Sequence, residues 1–141
     1  MLCGFTCLFS SCSDDDDGAG SSSELIGTWQ AKSSTGYEIY NGKKYSFDDT
    51  YEGDEGDYIT FKSDGTFETY NIDGGKRYDD DEGKWKLSGN QLSLYYYSED
   101  ELDEIEVTTI ESITSTQLVT VSHEKDDDYE YYCRDVLQRV K

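Results

Sequence analysis

Apolar and polar side chains alternate with a period of two along most of the chain after residue 24. Because successive side chains of a β-strand point to opposite faces, this spacing predicts strands that each bury one face. The clearest case is a pair of aromatic and β-branched runs, 57–62 and 66–70, around Asp64-Gly65, a dipeptide typical of hairpin turns. Proline is absent and glycine occurs 13 times, which is the composition of strands joined by glycine turns.

Eight or nine such segments follow one another with short connections, and none has the pattern of a long helix. Sequential hairpins predict an antiparallel up-and-down meander. A meander of about eight strands closes into a barrel, which removes its exposed edges. An open sandwich fits the same strand count, and periodicity alone does not separate the two. We predict an all-β fold with a barrel over residues 24–141, preceded by a disordered N-terminal tether.

The charge balance is strongly acidic, with 32 Asp and Glu residues against 12 Lys and Arg residues and a formal net charge of -20. Phosphates of nucleic acid and anionic lipid headgroups would be repelled, so we expect neither as a direct partner. Solubility and cationic partners are favoured instead. Most of the 13 Tyr, 5 Phe and 2 Trp residues fall in the alternating runs, which indicates a folded domain.

Sequence templates of common enzymes are missing from the chain. It contains no His-Glu-x-x-His motif, no glycine-rich phosphate loop, no Cys-x-x-Cys pair and no Gly-x-Ser-x-Gly elbow. Cys133 lies in a tyrosine-rich strand segment, where we interpret it as a buried small hydrophobe. Nothing in the sequence places His123 beside it as a base. We therefore predict that the protein is not an enzyme and needs no cofactor.

Acidic residues cluster in four segments that we interpret as loops, and carboxylate oxygens are the ligands that calcium prefers. The segments are residues 48–57, 79–82, 99–104 and 126–128. None has the spaced Asp-x-Asp-x-Asp-Gly pattern with a distal glutamate. We expect these segments to stay solvated and to form no metal site, with calcium as the alternative.

Two tyrosine-rich segments are candidates for a ligand pocket. In strand geometry Tyr95 and Tyr97 share one face, as do Tyr129 and Tyr131. Together with Trp85, these stripes would line a pocket for an aromatic, sterol-like or sugar ligand, with hydroxyls fixing its orientation. The alternative is that the rings pack against one another and their hydroxyls reach the mouth of the barrel.

A short apolar run near the N-terminus ends at Cys12. The acidic stretch that follows consists of Ser13, Asp14, Asp15, Asp16 and Asp17. Residues 9–12 resemble the lipobox of a bacterial lipoprotein signal peptide, which implies cleavage before Cys12 and acylation of that cysteine. Cys-Ser followed by acidic residues is similar to the export signal of Bacteroidota-type lipoproteins, which implies a lipid-anchored protein on the cell-surface side of the outer membrane.

This resemblance divides the chain into three parts. Residues 1–11 are expected to be the signal peptide, truncated at its start because it is short and has no basic residue. Residues 12–23 are the acylated cysteine and a flexible acidic and serine-rich linker. After cleavage Cys133 is the only cysteine besides Cys12, so no intramolecular disulfide is expected.

Three motifs in order resemble the small lipocalin-like domains of exported bacterial lipoproteins. They are Gly27-Thr28-Trp29, an aromatic Asp-Gly-Thr-Phe hairpin over 61–67, and a hairpin over 83–94 that begins Gly-x-Trp-x-Leu. The resemblance covers about residues 24–141 and implies a barrel that holds one small apolar or amphipathic ligand. The alternative is a filled barrel that acts as a protein-interaction or inhibitor-like module through its acidic loops.

The same resemblance assigns a structural role to the first strand. It implies that Trp29, after Gly27, closes one end of the barrel. A basic side chain near the last strand, Arg139 or Arg134, would pack over the indole through a cation–π contact worth about 0.5–2 kcal/mol. Arg139 is the preferred candidate because it lies nearer the end of the chain.

Overall fold

The computed structural model describes residues 22–140, which form one helical turn and nine strands. The helical turn is α1 (Ser22–Leu25). The strands are β1 (Gly27–Tyr40), β2 (Lys43–Thr50), β3 (Gly56–Phe61), β4 (Thr66–Asp73), β5 (Lys76–Ser88), β6 (Gln91–Ser98), β7 (Glu101–Ile113), β8 (Gln117–Lys125) and β9 (Tyr129–Arg139). The predicted signal peptide, Cys12 and the acidic stretch 13–17 lie outside the described residues.

The sheet is an antiparallel meander that closes on itself. Its strands lie in the order β2-β1-β3-β4-β5-β6-β7-β8-β9, and β9 also pairs with β1. The eight strands other than β2 therefore form a closed barrel, and β2 is an extra strand on β1. The predicted barrel of about eight strands is confirmed, and the β1–β9 pairing excludes the open sandwich.

Strand β1 organises the barrel because it has three partners. Residues 27–30 pair with β3, residues 33–40 pair with β2 on the same edge, and β9 follows the opposite edge over 29–40. A bulge between Ala31 and Ser33 adds one residue and bends the strand. The second half of β1, with β2 and the start of β9, thus extends beyond the barrel core.

Most of the segments interpreted as acidic loops prove to be strand in part. Residues 48–50 end β2, residues 79–82 lie within β5 and residues 101–104 begin β7, whereas 126–128 connect two strands as expected. The loop interpretation was wrong for the strand residues because β5 and β7, each of 13 residues, extend above the core. Water reaches both of their faces there, so carboxylates are tolerated within a strand.

The hydrophobic core fills one end of the barrel, the closed end. It consists of Leu25, Trp29, Phe61, Phe67, Leu92, Leu94, Ile110 and Leu118. Burying each of these side chains contributes about 1.5–3 kcal/mol. Gly27 has a φ of 137°, a conformation that favours glycine, and it lets the chain turn from α1 into β1 at this end. No helix within residues 22–140 has the length and apolarity needed to span a bilayer.

Candidate functional site

Trp29 and Arg139 close the barrel together. Trp29 is completely buried, and its indole N–H donates to the carbonyl oxygen of Leu25 at 2.9 Å. The guanidinium carbon of Arg139 lies 4.3 Å from the centre of the Trp29 ring. Arg139 also donates to three backbone carbonyls, those of Glu24, Ile26 and Ser115. This Trp29–Arg139 plug ties α1, β1 and β9 together, so its role is structural.

Arg134, the other candidate for the plug, lies elsewhere. Its guanidinium forms an ion pair with Glu111 at 2.9 Å. Because side chains alternate along β9, Arg134 points to the outer face whereas its neighbour Asp135 lines the interior. The partner of Trp29 is therefore Arg139.

Above the core, the barrel holds a cavity of about 360 Å³. Its lower wall is apolar and includes Ala31, Ile59, Phe61, Leu92, Leu94, Leu118 and Leu137. Its upper wall, towards the open end of the barrel, carries hydroxyls and carboxylates. The carboxylates are those of Asp57, Asp80, Glu106 and Asp135. Among residues 22–140, no lysine, arginine or histidine lines this cavity. The arrangement suits a small molecule with an apolar body and a polar end.

The tyrosines predicted to form the pocket do not line this cavity. On β6 the inward residues are Leu92, Leu94 and Tyr96, so Tyr95 and Tyr97 point outward. Three consecutive tyrosines are compatible with either phase of the strand. The signal that could have set the phase is Leu92 and Leu94, which alternate in step with Tyr96.

The other three predicted pocket residues also lie away from the cavity. Trp85 packs edge-on against Phe61 with ring centroids 5.5 Å apart, and its indole donates to the carbonyl of Lys62. Tyr129 donates from its hydroxyl to Glu38 at 2.8 Å, and Tyr131 stacks on Phe47 of β2. The last two belong to the part of β1, β2 and β9 that extends beyond the core. None of the five residues predicted for the pocket therefore lines the barrel cavity.

Glu106 is the inward carboxylate of the upper wall on β7. It accepts a hydrogen bond from the Tyr96 hydroxyl at 2.9 Å. Loss of hydration raises the pKa of the Glu106 carboxyl, the bond from Tyr96 opposes this change, and the nearby charges of Glu104 and Asp135 reinforce it. Water still reaches Glu106 through the open end. Glu106 is therefore a carboxyl group beside other acidic side chains in a space that water can enter.

Asp135 is the corresponding carboxylate on β9. It accepts a hydrogen bond from the Ser34 hydroxyl at 2.6 Å and a weaker one from the Cys133 thiol at 3.4 Å. These neutral donors orient the carboxylate without neutralising its charge. Among residues 22–140, no group of three or more His, Cys, Asp or Glu side chains is arranged to hold a metal ion.

Cys133 is buried, as the sequence predicts. Burial raises the pKa of its thiol, with a lowering contribution from the Ser34 hydroxyl, so the reactive thiolate is disfavoured. His123 pairs in register with Tyr132 and contacts Glu130 at 2.8 Å. Cys133 pairs in register with Ser122, which lines the cavity, so the two side chains share the inner face of the sheet. His123 is the next residue after Ser122 and therefore points to the outer face. The two cannot act as a nucleophile–base pair.

A family model described as a lipocalin-like domain matches residues 25–120. The chain belongs to the lipocalin-like domain family. The matched segment runs from the end of α1 into β8 and so includes Trp29, Glu106 and most of the cavity wall. Strand β9, which brings Asp135 and Arg139 to this lipocalin-like domain, follows it.

Solved structures similar to this lipocalin-like domain come from bacteria and from a mammal. A lipocalin-like protein from Bacteroides uniformis is 15% identical with a TM-score of 0.49, covering 79% of this chain and 97% of that one. A Bacteroides eggerthii protein is 15% identical with a TM-score of 0.47, covering 82% and 98%. Bovine odorant binding protein in complex with a selenium-containing odorant is 15% identical with a TM-score of 0.45, covering 92% and 78%. No curated protein matches the chain significantly.

Proposed function

We propose that this protein is a binding module that takes a small apolar or amphipathic molecule into its barrel. The observation that supports this proposal is the cavity of about 360 Å³, which is apolar below and polar towards the open end. Its volume lies within the range of small-molecule sites, about 300–1,000 Å³. A barrel filled by its own side chains would have favoured the alternative of a module acting only through its loops.

The first test blocks the cavity. Ala31 lines it and is only partly buried, so Ala31→Trp would place an indole where a ligand would lie. We expect this change to weaken binding of the neutral fluorescent probe N-phenyl-1-naphthylamine by about tenfold or more, equivalent to about 1.4 kcal/mol. Fluorescence titration measures the affinity, and circular dichroism checks that the variant is folded.

The matched control for this experiment is Val107→Trp, which adds the same ring on the outer face of β7, where Val107 is half exposed. It should bind the probe as the unmodified protein does. Equal binding by both variants would place the probe outside the barrel and contradict the proposal.

We also propose that the module is anchored to the outer membrane and displayed at the cell surface through an acylated Cys12. The support is the order of sequence features: an apolar run, Cys12, an acidic stretch and a glycine- and serine-rich segment before the barrel. Stable anchoring requires more than one acyl chain. A triacylated cysteine would meet that requirement, and the residues between Cys12 and α1 would separate the barrel from the lipid.

Cys12→Ser tests the anchor in the organism's own cells. We expect the variant to leave the membrane fraction and become soluble, because it lacks the thiol that carries lipid. Fractionation with detection by immunoblot measures the distribution, and Cys7→Ser serves as the control that should stay in the membrane. Membrane retention of Cys12→Ser equal to that of the control would refute the anchor.

A further inference from the structure

The cavity wall reverses ordinary hydrophobic patterning on β7. Ile105 and Val107 are each 50% exposed on the outside of the barrel, while Glu106 between them faces the cavity. A strand that served only to fill a core would place the isoleucine and the valine inward and the glutamate outward. Local rules of this kind are broken mainly at functional sites, where an interaction with another molecule compensates for the loss of stability.

The charge in the cavity is of one sign. Asp57, Asp80, Glu106 and Asp135 all line it, and among residues 22–140 none of these four takes part in an ion pair. The ion pairs that do form use other carboxylates, such as Glu68 and Glu111. Within the part of the chain that the structure describes, the four cavity carboxylates therefore have no neutralising side chain.

Neighbouring groups respond to this field. The pKa of Tyr51, which also lines the cavity, is raised by burial and then by the charges of Asp49, Asp57 and Asp135. Asp135 likewise adds to the rise in the pKa of the Glu106 carboxyl that burial begins. The upper cavity thus resists further negative charge and favours positive charge.

A second and independent feature lies beside Asp135. Thr120 lines the cavity, is only 8% exposed and pairs in register with Asp135. Within residues 22–140 its hydroxyl makes no hydrogen bond. Buried hydroxyls are nearly always hydrogen-bonded. The Thr120 hydroxyl is therefore available to a ligand that has a polar group between β8 and β9.

We propose that the ligand of this cavity is a small organic cation: a protonated amine on an apolar body. The ammonium group would lie in the upper cavity between Glu106 and Asp135, within reach of the Thr120 hydroxyl. The apolar body would lie on the lower wall around Leu92, Leu94 and Leu118. This inference rests on the proposed binding function and adds the charge of the ligand to it.

The test compares three molecules with the same eight-carbon chain: octylammonium, octan-1-ol and octanoate. Each is titrated against the protein carrying N-phenyl-1-naphthylamine, in about 0.15 M salt so that the overall charge of the protein is screened beyond about 8 Å. We expect octylammonium to displace the probe at a concentration about tenfold lower than octan-1-ol does, since hydrogen bonds to charged groups are the stronger ones. Octanoate should be the weakest competitor.

Variants locate the origin of this preference. Glu106→Gln and Asp135→Asn are each expected to reduce the tenfold advantage of octylammonium over octan-1-ol by about threefold or more. Glu111→Gln removes the same charge from the outer face and should leave the advantage unchanged. Both cavity variants keep the shape of the side chain, and the binding of octan-1-ol itself reports whether the cavity is intact.

The possible results separate the two proposals. If the probe binds but octan-1-ol competes as well as octylammonium does, the cation is wrong and the binding function stands. An octylammonium advantage that Glu111→Gln lowers as much as Glu106→Gln does would reflect overall charge and would also overturn the inference. If neither the probe nor any of the three molecules binds, the binding function fails and the inference fails with it.

Discussion

Trp29→Ala is expected to lower the free energy of unfolding by about 3–5 kcal/mol, the range found when large buried aromatic side chains are truncated. Trp29 is completely buried in the core at the closed end. Its loss would leave a cavity there and would remove the ring beneath the Arg139 guanidinium. The remaining arginine would still be held by backbone carbonyls, so most of the loss should come from packing.

Urea denaturation followed by circular dichroism measures this change. Trp85→Ala is the matched control, because Trp85 is the other tryptophan and is only partly buried against the core. Its truncation should cost clearly less. A midpoint of unfolding for Trp29→Ala equal to that of Trp85→Ala would contradict the role assigned to the Trp29–Arg139 plug.

Gly36→Ala should destabilise the barrel by about 3 kcal/mol, although it adds only one methyl group. A Cβ atom at this position would lie 1.9 Å from the carbonyl oxygen of Tyr132 and 2.8 Å from its carbonyl carbon. Both atoms belong to the backbone of β9, so no side-chain rotation relieves the contact. Strands β1 and β9 would have to separate where their pairing closes the barrel.

The control for this prediction is Gly42→Ala, in the turn between β1 and β2. Gly42 has a φ of 79°, and a Cβ atom there would lie more than 4 Å from any residue other than its two chain neighbours. Alanine would therefore add backbone strain of about 1–2 kcal/mol without a clash. The two variants separate a steric effect from a conformational one. Thermal or urea unfolding measures the stability of both variants. If Gly42→Ala proved the more destabilising change, the close approach of β1 to β9 at Gly36 would be contradicted.

Gly36 also bears on the cavity. The close approach of β1 and β9 lies beside Ser34 and Asp135, whose side chains are 2.6 Å apart. A second close approach occurs at Gly83, where a Cβ would lie 2.0 Å from the carbonyl oxygen of Tyr95 on β6. Glycine is found where strands of a barrel bend or approach closely. These two positions therefore fix how closely β1 approaches β9 and β5 approaches β6 in the barrel wall.

The barrel itself could be predicted from the sequence. Alternation with a period of two, and turns such as Asp64-Gly65, depend on neighbouring residues and are visible in one chain. The role of Trp29 with Arg139 came from the resemblance of Gly27-Thr28-Trp29 to lipocalin motifs. Residue 134 was the competing candidate, and the alternation of side chains along β9 excludes it once Asp135 is known to face inward.

The residues that line the cavity could not be predicted in the same way. Whether Tyr95 and Tyr97 or Tyr96 faces inward depends on the pairing register, and a shift of one residue turns every side chain to the other face. Bulges also change this phase within a strand: β1 has one extra residue between Ala31 and Ser33, and β7 has one opposite Tyr96 and Tyr97.

The sequence by itself thus determined an acidic barrel, because composition and short-range alternation are sufficient for that prediction. The resemblance of residues 9–12 to a lipobox added a candidate lipid-attachment site before it. Only the tertiary structure showed that Glu106, Thr120 and Asp135, on the consecutive strands β7, β8 and β9, line one cavity. Hairpin pairing makes these strands neighbours, but the face that each side chain takes depends on the pairing register. That face encloses a cavity only because β9 closes the barrel against β1, a long-range property that no local pattern encodes.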